Sequence, residues 1–85
     1  MSLKSFDFEI VSPTSSSVIQ VEWIDVEGEN GCFLVGFGHA PLVSIIKKGN
    51  SISYKKVGVE DPLEMFVSGG VFSVANNNAK VVLDF

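Results

Sequence analysis

Apolar and polar residues alternate along much of the chain. Phe6, Phe8 and Ile10 stand opposite Asp7 and Glu9, and Ile19, Val21 and Trp23 opposite Gln20 and Glu22. Ile52 and Tyr54 oppose Ser51, Ser53 and Lys55, while Val81, Leu83 and Phe85 oppose Lys80 and Asp84. A period of two belongs to a strand with one face on a core and the other in water. Turn-like clusters fall at Pro13 to Ser17, Glu27 to Gly31, Gly36 to Pro41, Lys48 to Ser51, Gly58 to Pro62, Ser68 to Gly70 and Asn76 to Asn78. The runs between them have the length of strands rather than helices, roughly five to nine residues. No segment of helical length carries a 3.6-residue period. The pattern predicts an all-β fold, a small antiparallel β-sandwich or flattened barrel of about 8–10 short strands. With 85 residues, a single domain over 1–85 is expected.

Two runs break the alternation. Pro41 to Ile46 is apolar on both faces apart from Ser44, and Leu63 to Val67 interleaves Met65 with Phe66. Such strands are either central in a sandwich or covered by a second chain.

Composition narrows the function classes. The residues are 46% hydrophobic and 19% charged, too apolar for a disordered segment. A chain of this length buries only about 60–65% of its unfolded surface, so a partner surface would add stability. Net charge is −4 and all six basic residues are lysines, a poor basis for binding phosphate backbones, so no nucleic-acid partner is expected. Lys47-Lys48 and Lys55-Lys56 read as solvated strand ends. One cysteine, Cys32, allows no internal disulfide. No apolar run reaches the roughly 20 residues that span a bilayer, and the first residues lack a signal-peptide pattern. The expectation is a soluble chain that reaches a membrane only through a complex.

Candidate chemistry is sparse. His39 is the only histidine, and no Asp, Glu or Cys stands at a recognisable ligand spacing from it, so a structural or interface role is expected over catalysis or metal binding. Cys32, in the run with Phe33 and Leu34, reads as a buried or half-buried small hydrophobe. The glycines at 28, 31, 36 and 38 do not precede a helix and no Lys-Ser or Lys-Thr follows, which favours strand turns over a phosphate cradle. No catalytic residue, cofactor or metal is expected, and an apolar surplus without a catalytic set points to binding another protein.

Four stretches resemble the epsilon subunit of the rotary, F-type ATP synthases. Gly38-His39-Ala40-Pro41-Leu42 reproduces that family's Gly-His-Ala-Pro-Leu segment. Ser68-Gly69-Gly70, with Val71, Phe72 and Val74, is similar to its Ser-Gly-Gly strand turn. Phe8 to Pro13 is similar to its opening strand and turn, and Val81-Val82-Leu83 to its closing strand. The resemblance covers about Phe6 to Phe85, with the motifs in order and at matching intervals. There are departures. Aligned without gaps, Gly31 and Phe33 match the family's Glu-Gly-Glu-Phe-Gly loop, while Asn30 and Cys32 replace its acids and Leu34 its glycine. A shift of three residues would match Glu27-Gly28-Glu29 instead. Phe37 stands where the family has proline. At Phe85 the family normally continues into a two-helix hairpin that carries the inhibitory movement and, in some members, an ATP site, so neither activity is expected of these residues.

The resemblance implies a non-catalytic central-stalk subunit. One side of the sandwich would pack on the gamma subunit and one end would rest on the c ring. It would help couple ion transport to ATP synthesis on the cytoplasmic face of a bacterial inner membrane. The interface residues it implies are Glu29, Asn30, Gly31, Cys32 and Phe33, then His39, Ala40, Pro41 and Leu42, and Ser68, Gly69 and Gly70. Two other classes compete: a free-standing ligand- or carbohydrate-binding sandwich using Trp23, Tyr54 or Phe37, and a small metal-dependent enzyme centred on His39.

Overall fold

The structure, a computed structural model, describes residues 4–28 and 31–84. Six strands account for most of them: β1 Phe6–Ser12, β2 Ser15–Gly28, β3 Gly31–Val35, β4 Leu42–Lys56, β5 Leu63–Ala75 and β6 Asn78–Leu83. The sheet runs β1-β6-β5-β4-β2-β3, and β1 also pairs with β2, so five strands close on themselves and β3 hangs on the far half of β2. All pairings are antiparallel except β1 with β6, which is parallel.

Three strands are far longer than the alternation predicts, at 14, 15 and 13 residues for β2, β4 and β5. Each is interrupted once. Along β2, Val21 pairs with Lys56 and Trp23 with Lys55, which leaves Glu22 as an extra residue. Between β4 and β5, Lys47 pairs with Gly69 and Asn50 with Val67, which leaves Lys48, Gly49 and Ser68 out of register. Bulges of this kind bend a strand and raise its twist. Gly49 adopts φ 94° there, and Asn50 Oδ1 accepts from the Lys47 N–H at 2.9 Å.

The bends carry the long strands from one layer to the other. The front layer holds β1, β6, and residues 15–21, 42–47 and 70–75; the back layer holds β3 and residues 21–28, 50–56 and 63–67. Three of the six strands divided in two give nine segments, which is the expected count of short strands reached by a different route. The clusters Lys48 to Ser51 and Ser68 to Gly70 are therefore not turns between strands. The other punctuation sites do separate strands, and Asn76 and Asn77, at φ 52° and 61°, make the tight link from β5 to β6.

The core lies between the layers. Phe6, Phe8, Val21, Ile46, Phe72, Val74, Ala79, Val81 and Leu83 enter from the front, and Ile24, Val26, Val35, Ile52 and Val67 from the back. Aromatic rings bridge the two. Phe8 meets Tyr54 edge-on at 5.5 Å and Phe72 at 6.3 Å, and Phe33 lies 6.2 Å from Phe72. Such ring pairs add about 0.5–1.5 kcal/mol each beyond their area. One predicted face is corrected. The bulge at Glu22 reverses the parity of β2, so Ile24 and Val26 follow Val21 inward and Trp23 turns to the outer side, half-buried.

Candidate functional site: the outer face of the front layer

The residues implied by the resemblance divide into separate places. His39, Ala40, Pro41 and Leu42 lie on the link from β3 to β4. That link is a tight turn: the His39 N–H donates to the Gly36 carbonyl at 3.2 Å, and the Gly38 N–H donates to Asn77 Oδ1 at 2.6 Å. Gly38 holds φ 81°, a conformation that disfavours any side chain. The Lys4 ammonium sits 5.0 Å from the centre of the Phe37 ring. His39 Nδ1 is 2.6 Å from the Ala40 carbonyl, and among the described residues no group of three or more His, Cys, Asp or Glu could hold a metal ion.

Ser68, Gly69 and Gly70 lie at the far end of the same ladder. Leu42 pairs with Val74 and Lys47 with Gly69, five residues apart, or about 17 Å at strand rise. The motif there serves packing. A Cβ on Gly70 would overlap the Val82 carbonyl oxygen, and the Asp84 N–H donates to the Gly69 carbonyl at 3.2 Å. On β3, Phe33 points inward and rests on the core, while Gly31 and Cys32 are exposed. Cys32 is thus corrected from a buried to an exposed side chain, because Phe33 and Val35 take the inward positions of β3. Glu29 and Asn30 lie outside the described residues. The ten described residues among the twelve therefore divide among β3, the link from β3 to β4, and the middle of β5.

The sugar-platform reading also loses its geometry. Tyr54 is turned to the core against Phe8, Phe37 lies under Lys4, and Trp23 stands apart from both on the back layer.

Sequence reasoning left a different surface unassigned. On the outer side of the front layer, Ile45 pairs with Val71, Val71 with Val82, and Val82 with Val11, an apolar row in register across four strands. Val43 and Val18 lie one row away. Val43 is 71% exposed, Ile45 55%, and Val71 and Val82 43% each. The surplus of apolar residues from Pro41 to Ile46 was the available signal. The structure resolves its ambiguity, since the segment has one face in the core and the other bare. Two hollows divide this face. One, of about 430 Å³, is bounded by Pro41 and Val43 on one side and Asp7, Glu9 and Val18 on the other. The second, of about 560 Å³, runs from Ile45 and Lys48 past Ser68 and Gly69 to Asp84. An exposed apolar row in register is a place where another surface can pack.

Comparison with known proteins gives this geometry a family. The model of the ATP synthase delta/epsilon chain β-sandwich domain matches residues 5–85. The ATP synthase epsilon chain of Rhodopseudomonas palustris (strain BisB5) is 30% identical over 83 residues, and epsilon chain 1 of Nitrobacter hamburgensis is 32% identical over the same length. Both alignments take in 96% of this chain but only 59% of the relative. In the cryo-EM structure of the central stalk and c-ring of the Tetrahymena thermophila mitochondrial ATP synthase, one chain superposes with a TM-score of 0.78 at 8% identity. The match covers all of this chain and 67% of that one, and shows the shared fold. The chain belongs to the ATP synthase delta/epsilon family and is built as its β-sandwich domain.

Proposed function

We propose that this sandwich is a non-catalytic part of the central stalk of an F-type ATP synthase, and that it docks on the gamma subunit through the outer face of its front layer. The observation that carries the reading is the registered row Ile45–Val71–Val82, exposed and continued by half-buried Val11. A face of β-branched side chains on a closed sheet is rigid, so little freedom is lost when a partner covers it. The short turn carrying Gly38 to Pro41, tied to Asn77, is the end that would rest on the c ring. The protein would then serve ion-coupled ATP synthesis mechanically, on the cytoplasmic face of a bacterial inner membrane, touching lipid only through the complex. Residues 1–85 act in this reading as one domain.

Mixing the protein with its cognate gamma subunit and running size exclusion tests the proposal. Co-elution at micromolar concentration is expected, and it should be lost in the double variant Val43→Asp, Ile45→Asp while the melting temperature holds. Unchanged co-elution of that variant would remove the front face from the interface.

A further inference from the structure

The hollow beside Val43 has two unlike walls. Pro41 and Val43 on β4 and its entry are apolar, and the opposite wall carries the carboxylates of Asp7 and Glu9 with Val18 behind them. Asp7 and Glu9 are two apart on β1 and share its outer face, about 7 Å from each other at strand rise. Asp7 accepts from the neutral Gln20 side chain. Lys80 is the one base lining the hollow, across the strand pair from Glu9, yet Glu9 and Lys80 form no ion pair among the described residues. Two carboxylates against one ammonium leave the hollow negative, on a chain that is itself negative.

Covering such a wall strips water from both carboxylates. That is costly unless the covering surface supplies positive charge. We propose that this hollow receives a partner segment of mixed character, basic where it meets Asp7 and Glu9 and apolar where it meets Pro41 and Val43. The carboxylates of β1 select the partner by charge, and Lys80 limits affinity by standing beside the incoming base. The inference rests on the docking face proposed above and adds what the partner must present to it.

The signs of two charge reversals test this. Binding of the folded protein to the cognate gamma subunit is measured by titration calorimetry at about 0.05 and 0.5 M salt, a range that spans strong to weak screening. Glu9→Lys is expected to weaken binding at least about tenfold at low salt, and Lys80→Glu to strengthen it several-fold, with both effects shrinking at high salt. Circular dichroism checks that both variants remain folded. The opposite pair of signs would mean that an acidic partner faces Lys80, and it overturns the inference, as does affinity that neither variant changes. If the unaltered protein does not bind gamma at all, the docking reading itself falls and the inference with it. Binding that responds to Val43→Asp but not to the charge reversals sinks the inference alone.

Discussion

Gly70→Ala places one methyl group where the fold has no room for it. Gly70 pairs with Leu83, and the backbone of β6 crosses directly over the missing side chain. An ideal Cβ at this position would overlap the Val82 carbonyl oxygen and lie 3.3 Å from the Val82 carbonyl carbon and 3.4 Å from the Leu83 Cα. All three obstacles are backbone, so no side-chain rotation relieves them. The strands must separate, and the ladder from Gly70 to Ala75 loosens with them. Overpacking costs about 1–3 kcal/mol where side chains can adjust, and a purely backbone obstacle belongs at the top of that range. For a fold of this size each kcal/mol lowers the melting temperature by about 4–8 °C, so a fall of about 12–24 °C is expected. Gly36→Ala is the matched control. A Cβ there meets nothing within 4 Å, and Gly36 is not among the glycines with positive φ. It should move the melting temperature by no more than a few degrees, since the added methyl group enters open space and substitutions away from special features stay within about 0.5 kcal/mol. Differential scanning calorimetry of the two variants side by side decides the matter. Equal melting temperatures would refute the crossing of β6 over Gly70.

Phe72→Ala should be more damaging still, because Phe72 joins Phe8 of the front layer to Phe33 of the back. Loss of a buried phenyl costs about 3–5 kcal/mol, a large part of the whole stability, and a denaturant melt should show a low midpoint or no folded baseline. Cys32 should react with a bulky maleimide in the native protein at nearly the rate seen in denaturant, because its side chain is exposed; protection in the native state would contradict its place on the outer side of β3. Deleting Glu22 removes the extra residue and should leave Val21, Ile24 and Val26 inward and Trp23 outward in plain alternation, so the protein should still fold, with a straighter β2 and reduced stability; a near-ultraviolet spectrum showing the core rebuilt around Trp23 would count against the bulge.

Much of this fold was legible from alternation, and the failures have a common cause. In β1 and β6 the pairing is unbroken, and every expected inward residue among those described faces the core or its edge. In β2 the extra residue is Glu22, which carries no mark of a bulge: it is neither Gly nor Pro, and its neighbours alternate cleanly through it. Only pairing with β4 sets the parity after Val21. Gly49 and the Ser68-Gly69-Gly70 stretch misled in the other direction. Glycine is selected both by turns and by bulges, since each needs backbone freedom or close approach, and local sequence does not separate them. Cys32 was misplaced because its neighbour Leu34 shares its outward face, so the run looked uniformly buried. The interface motifs identified the family, yet Gly70 and Gly38 are fixed by packing and turn geometry. A motif strong enough for recognition was thus partly a record of folding constraints.

The bends also bear on how so small a fold can bind anything. Nine strand segments joined by separate turns would need eight connections, and each turn tip adds mobile backbone near a face. Here three junctions are bulges inside hydrogen-bonded strands, so five links remain among six strands. The closed ring of β1, β6, β5, β4 and β2 leaves the middle of the front layer paired on both sides. The row from Ile45 to Val11 therefore rises from backbone held by its neighbours, and its β-branched side chains have few rotamers to lose. Ordering costs of about 0.5–1.5 kcal/mol for each flexible side chain fixed at an interface are largely avoided on such a face. Long bent strands give a short chain both a core that closes and a rigid outer face of the kind the proposed docking needs.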